Sequence, residues 1–199
     1  MRRLTLLTLV LACALAGVAS TAQAGGGISL LGGNCGSTSA VFSRWSDNAG
    51  YYFAPNGGFE KGTTGWTLAG PAAVTNGNDP FALSGPGSHA LSLGTGGSAS
   101  ITVCYGLTYP AVRFVAAGVG GNAVIHVRVV ARSLLGVLST LDGGTFTVGT
   151  AWTPAPKLST LFSALASPVG AKTMQLQISV ESGKALIDDL YVDPFLTKG

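Results

Sequence analysis

Ala123-Val124-Ile125-His126-Val127-Arg128-Val129-Val130-Ala131-Arg132 is the stretch on which the fold turns. Ile125, Val127 and Val129 alternate with His126, Arg128 and Val130, a period of two that gives a β-strand one oily face and one largely polar face. The run from Thr173 to Glu181 repeats the pattern, with Met174, Leu176, Ile178 and Val180 alternating against Gln175, Gln177 and Ser179. Working outward, shorter apolar runs at 90–93, 100–105, 112–117, 137–141, 145–148, 157–163 and 186–192 recur between Gly, Pro, Asn and Ser punctuation. Asp142-Gly143-Gly144 reads as a tight hairpin turn, because Asp and Gly tolerate positive φ. No helical period of useful length occurs. About nine or ten strands predict an all-β domain of two antiparallel sheets packed face to face.

Composition supports that class. Of 199 residues, 47% are hydrophobic, only 10% are charged and 30 are Gly, which fits many turns and excludes disorder driven by charge. Arg2 and Arg3 precede an apolar run from Leu4 to Val18 that ends in Ala22-Gln23-Ala24. This is the plan of a secretory signal, with cleavage expected after Ala24 and a secreted, extracellular or cell-surface destination. Residues 25–55 then read as an irregular arm carrying Phe42, Trp45, Tyr51, Tyr52 and Phe53, and residues 56–199 as the sandwich.

Loss of residues 1–24 leaves 9 basic and 8 acidic side chains, a net charge of +1. The remaining Lys and Arg are scattered singly, so no surface tracks a phosphate backbone and nucleic acid is excluded as a partner. No second apolar run approaches the ~20 residues of a membrane span. Cys35 and Cys104 remain, an even count in an oxidising compartment, and a single disulfide between them is the economical reading. Two histidines and two cysteines at long spacing do not make a zinc cluster.

Asn56-Gly57-Gly58-Phe59-Glu60-Lys61-Gly62-Thr63-Thr64-Gly65-Trp66-Thr67 resembles the opening of cellulase-associated carbohydrate-binding modules, which have a galactose-binding-like jelly-roll fold. Ala185-Leu186-Ile187-Asp188-Asp189-Leu190-Tyr191-Val192 is similar to their closing strand, and Ser88-His89-Ala90-Leu91-Ser92-Leu93 to their second. From Cys35 on, through Trp45-Ser46-Asp47, Asn78-Asp79-Pro80-Phe81, Cys104-Tyr105-Gly106-Leu107 and Asp188-Asp189-Leu190-Tyr191-Val192-Asp193-Pro194, the chain is more closely similar to a group of secreted bacterial single-domain proteins of unknown function, a likeness that supplies no activity. The module resemblance implies a structural Ca²⁺ near Glu60, Asp188 and Asp189, with a carbonyl near Ser88 as a further ligand. The chemistry suits that ion, which takes six to eight oxygens. Asp188 also shares parity with Leu190 and Val192, so if those two are core its carboxylate points inward and needs a cation or several donors. The alternative is that Asp188 or Asp189 accepts backbone N–H bonds in a turn.

Sugar binding needs exposed aromatic faces with polar side chains at their edges. Trp45, Tyr51, Tyr52, Tyr105, Tyr109 and Trp152 are the candidate platforms, while Trp66 is expected in the core. Gln175, Gln177, Arg113 and Arg128, with His126, lie opposite oily positions and are candidates to line a polar sheet face. No G-x-S-x-G elbow occurs and neither histidine has a nucleophile signature beside it, so no catalytic residue is assigned. Gly118-Val119-Gly120-Gly121 leads into a strand where a dinucleotide loop requires a helix. The sequence therefore predicts a non-enzymatic, polysaccharide- or glycan-binding module. The alternative is a structural or adhesive envelope protein acting by self-association or through a protein partner, since so few charges guard its strand edges.

Overall fold

A computed structural model describes residues 35–104, 111–132, 138–159 and 173–194. They form a β-sandwich in which all named strand pairs are antiparallel. The strands are β1 (Tyr52–Phe53), β2 (Trp66–Ala69), β3 (Ala72–Asn76), β4 (His89–Gly94), β5 (Ser98–Cys104), β6 (Ala111–Gly118), β7 (Ala123–Arg132), β8 (Leu138–Val148), β9 (Thr153–Pro154), β10 (Leu158–Ser159), β11 (Thr173–Ser182) and β12 (Lys184–Asp193). One sheet has the order β10-β6-β12-β4-β3, with β1 also pairing β12 and β9 pairing β6; the other runs β2-β5-β11-β7-β8. Among the described residues no helix is long and apolar enough to cross a membrane.

The alternation in β7 and β11 buries the residues it predicts. Ile125, Val127, Val129, Met174, Leu176, Ile178 and Val180 meet Leu91, Leu93, Phe114, Ala116 and Ile187 of the facing sheet in one core. Trp66 is there too, its ring 4.8 Å from Phe59 and its indole N–H donating to the Asn56 carbonyl at 3.0 Å. Asp142-Gly143-Gly144 is not a hairpin turn. It is a bulge inside the continuous strand β8, with Arg128 opposite Asp142 and Val127 opposite Gly144. Gly144 does have positive φ, so the local chemistry is as read, but the partner strand β7 runs on past it.

The arm is tied down at both ends. Cys35 is disulfide-bonded to Cys104, and the Tyr52 hydroxyl donates to the Cys104 carbonyl at 2.7 Å. Closing a loop of that length restricts the unfolded chain by roughly 4 kcal/mol in the entropy account. Between these ties a second small apolar cluster, Phe42, Ala49, Tyr51 and Tyr191 with Trp45 and Leu83 against it, covers the outside of the seven-stranded sheet.

The opening motif forms a loop for identifiable reasons. The Asn56 side chain donates to the Gly62 and Thr64 carbonyls and accepts from the Lys61 N–H, knotting residues 56–64 together. Gly57 lies against β12: its carbonyl accepts from the Leu190 N–H, and a Cβ placed on it would stand 2.6 Å from the Leu190 carbonyl oxygen. At Gly58 an added Cβ meets only ordinary contacts, 3.4 Å or more away. Gly57→Ala is therefore expected to destabilise the protein by roughly 1–3 kcal/mol through forced displacement of backbone, and Gly58→Ala by no more than about 0.5 kcal/mol. Equal urea midpoints for the two variants would contradict that contact.

Candidate functional site

Two regions gather the polar chemistry. The first is a buried acidic cluster at the closing strand. β12 carries an extra residue against β6, the register shifting between Asp188 and Tyr191, and Asp189 takes φ 51° to make the shift. Ile187, Leu190 and Val192 are all in the core. The parity of Asp188 with Leu190 is thus broken by the bulge, and Asp188 and Asp189 lie beneath the 77–88 loop instead of pointing between the sheets. The Asp188 carboxylate accepts from the backbone N–H groups of Asp189 and Asp79, and Asp189 accepts from those of Leu83 and Ser84. One carboxylate oxygen of Asp79 accepts from Phe81 and Ala82, while its other oxygen, Oδ2, is buried with no donor.

One oxygen from each of Asp79, Asp188 and Asp189 lies within 4.8 Å of the others, and all three residues are buried. Burial pushes the Asp188 carboxyl up to about 8, the charges of Asp189 and Asp79 adding to it against the backbone N–H bonds. Burial likewise raises Asp79, to about 6, with the Asp189 carboxylate beside it. Three converging carboxylates, one with an unmatched buried oxygen, fit a hard divalent cation such as Ca²⁺.

Glu60 and Ser88, expected in the same oxygen set, are instead drawn to one another. Glu60 accepts from the Ser88 and His89 N–H groups at 2.8 and 2.9 Å, and its other oxygen lies 3.2 Å from both the Ser88 hydroxyl and His89 Nδ1. Partial burial opposes ionisation, but the Ser88 N–H and the other bonds outweigh it and hold Glu60 down to about 2. Asp79 is the member that sequence reading missed, because only the folded loop brings it to β12.

The second region is the outer face of the five-stranded sheet. Its register aligns Thr67, Ser100, Gln177, Arg128 and Asp142 in one row across all five strands. A second row runs Ala69, Ser98, Ser179, His126 and Thr145, and Gln175 stands between Thr102 and Val130 in a third. Each row spans about 19 Å at the usual strand spacing. Arg128 and Gln175 are exposed and Gln177 is half-buried. His126 is buried and faces two carboxylates: Nε2 lies 2.8 Å from Asp142, and Nδ1 lies 2.9 Å from Glu181 without hydrogen-bond geometry. The Gly144 N–H, and then His126, hold the Asp142 carboxyl below its ordinary range.

Arg113 does not belong to this face. It lies on β6 in the other sheet, buried beneath the arm, where its guanidinium pairs with Asp47 at 2.7 Å, donates to the Ala155 carbonyl and lies 4.7 Å from the Phe42 ring centroid. Burial works to raise the Asp47 carboxyl, but the Tyr51 hydroxyl, Arg113 and the Ala49 N–H together hold it low. Its outward facing was readable from the alternation; the arm that covers it was not. Trp45 is half-buried in the arm cluster, edge-on to Phe81 at 4.9 Å. Trp152 is half-exposed just before β9, which pairs β6 of the seven-stranded sheet. Tyr105 and Tyr109 lie outside the described residues. Among the described residues, the polar rows hold no Phe, Tyr or Trp side chain.

No protein-family model and no curated protein matches the chain. Solved structures do match in fold. The CBM22-1 xylan-binding domain of Paenibacillus barcinonensis Xyn10C aligns at TM-score 0.51 and 18% identity, over 70% of this chain and 93% of that one. The C-terminal family 22 carbohydrate-binding module of Clostridium thermocellum Xyn10B aligns at 0.50 and 18%, over 75% and 96%. The enzymatically active domain of bacteriophage CBA120 tailspike protein 4 aligns at 0.50 and 23%, over 69% of this chain and 20% of that one. The chain has the galactose-binding-like jelly-roll fold of such modules. At these identities the likeness fixes the fold, and the chemistry must come from this chain's own residues.

A buried acid whose pKa is raised on folding binds its proton more tightly in the native state. Metal-free protein therefore loses stability as pH rises from the ordinary carboxylate range near 4 through about 8, the folded value of Asp188. In chelator, the melting temperature is expected to fall between pH ~5 and ~8, and Asp188→Asn to flatten the slope. A flat profile for the native protein, or an unchanged slope in the variant, would contradict the assignment.

Proposed function

We propose that the protein is an exported, non-catalytic carbohydrate-binding module that holds a polysaccharide on the outer face of its five-stranded sheet, with Ca²⁺ as a structural ion. The observation that carries the reading is the row Thr67, Ser100, Gln177, Arg128 and Asp142. Hydroxyl, amide, guanidinium and carboxylate groups spaced across five strands match the alternating donors and acceptors of a sugar chain. The His126 pairings hold Asp142 within that row and Glu181 near it, which reduces the ordering cost of binding. The fold shared with a xylan-binding domain and a family 22 carbohydrate-binding module supports the same class of ligand.

Asp79, Asp188 and Asp189 would hold the Ca²⁺, which supplies positive charge to a buried site that otherwise has an excess of negative charge. Its role is to fix the 77–88 loop and the closing strand. The apolar leader with its Ala22-Gln23-Ala24 site accounts for export.

Oxidised protein comprising residues 25–199 is tested in pull-downs against insoluble plant, fungal and bacterial wall polysaccharides, with Ca²⁺ or chelator. Retention on one polysaccharide is expected, competed by its own oligosaccharides. Arg128→Ala with Gln177→Ala is expected to weaken it at least tenfold, about 1.4 kcal/mol, without lowering the melting temperature. Failure of every polysaccharide to retain folded protein, or full retention by the double variant, would overturn the reading.

A further inference from the structure

The exposed Phe53 belongs to neither region described above. It is one of only two large hydrophobic side chains exposed among the described residues, at 39% of its surface, while Tyr52 and Ala54 on either side are buried. Its ring leans on Tyr191 at 5.1 Å between centroids. It lines a cleft of about 320 Å³ together with Pro55, Gly58, Lys61, Ser84 and Pro86. That volume is at the lower end of ligand pockets, roughly 300–1,000 Å³, and suits a single ring better than a chain.

The cleft's polar groups divide cleanly. Asn56 and Glu60, at its edge, are fully used in holding the 56–64 loop and the Ser88-His89 backbone. The Lys61 ammonium and the Ser84 hydroxyl have no partner among the described residues. The floor is Gly58, where a Cβ would stand 3.4 Å from the Phe53 ring and from Ser84 Oγ and 3.6 Å from Asp188 Oδ1. The backbone around the cleft is also unusual. Asn56, Phe59, Ala82 and Asp189 account for four of the five non-glycine residues with positive φ among those described. Such strain persists where surrounding structure enforces it, and it gathers at binding sites.

We propose that this cleft is a second carbohydrate site, which takes one pyranose unit at the end of a chain. The C–H face of the sugar stacks on the Phe53 ring, Pro55 and Pro86 bound its apolar edges, and Lys61 and Ser84 bond its hydroxyl oxygens. An aromatic platform with donors at its rim suits the C–H face of a single pyranose, a stacking contact that the polar rows do not supply among the described residues. The proposal rests on the reading that the natural ligand is carbohydrate, but it invokes different residues.

The test uses ¹⁵N-labelled, oxidised protein and millimolar methyl glycosides of xylose, glucose, galactose and glucuronic acid, followed by amide chemical shifts. At least one glycoside is expected to move the amides of Gly58, Lys61 and Ser84. Phe53→Leu, which keeps an apolar residue on β1 but removes the ring, is expected to weaken that binding about tenfold or more. Gly58→Ala, which fills the floor within ordinary contact distances, is expected to do the same, and Arg128→Ala to leave it unchanged. Shifts confined to the sheet rows would overturn the cleft site and leave the sheet-face reading standing. Cleft shifts that survive both Phe53→Leu and Gly58→Ala would overturn it as well. If no glycoside moves any amide the cleft proposal falls, and if polysaccharide fragments also leave the sheet rows unmoved the carbohydrate reading falls with it.

Discussion

The extra residue in β12 at Asp188-Asp189 is the constraint on which the rest of this end of the molecule depends. By breaking the pairing with β6 it frees the backbone of Leu190, whose N–H donates to the Gly57 carbonyl and whose carbonyl accepts from the Ala54 N–H. The opening loop is thereby fixed against the closing strand. The same bulge turns two carboxylates toward the 77–88 loop, which answers with the N–H groups of Asp79, Leu83 and Ser84. Three segments far apart in sequence meet at one point. The cost is a concentration of buried negative charge that protein donors only partly match, and the proposed cation would answer that cost where protonation otherwise must.

The two sheets then differ in what lies outside them. The arm, pinned by the Cys35–Cys104 disulfide and by Arg113 with Asp47, covers the outer face of the seven-stranded sheet with aromatic rings. The described residues put no such cover on the five-stranded sheet, where Gln175, Gln177 and Arg128 stand in register. A covered face adds a second apolar cluster, and the proposed function puts the ligand on the face that carries no such cover among the described residues. Phe53, at the last step of the arm before the opening loop, stays partly outside both arrangements.

What the sequence discloses follows from how local each cause is. The facing of β7 and β11 is written in single strands, so Ile125, Val127, Leu176 and Ile178 are legible as core without a partner. Asp142-Gly143-Gly144 shows the limit. Its residues state that the backbone takes positive φ, and whether that makes a turn or a bulge is decided by where β7 continues. The facing of Asp188 is hidden for the same reason, because a one-residue insertion inverts parity and no residue type announces it. Arg113 is correctly outward-facing, but its burial depends on a covering segment some 60 residues earlier. Asp79 looks like an ordinary loop acid until the fold places it at β12.

Calcium titration calorimetry of the oxidised protein, with Asp79→Asn and Glu60→Gln beside it, tests most directly whether the bulge at β12 is a cation-holding point. One Ca²⁺ per chain is predicted for the native protein, with uptake lost in Asp79→Asn and kept in Glu60→Gln. No uptake by folded native protein, or loss in Glu60→Gln with retention in Asp79→Asn, would contradict the assignment of the ion to Asp79, Asp188 and Asp189.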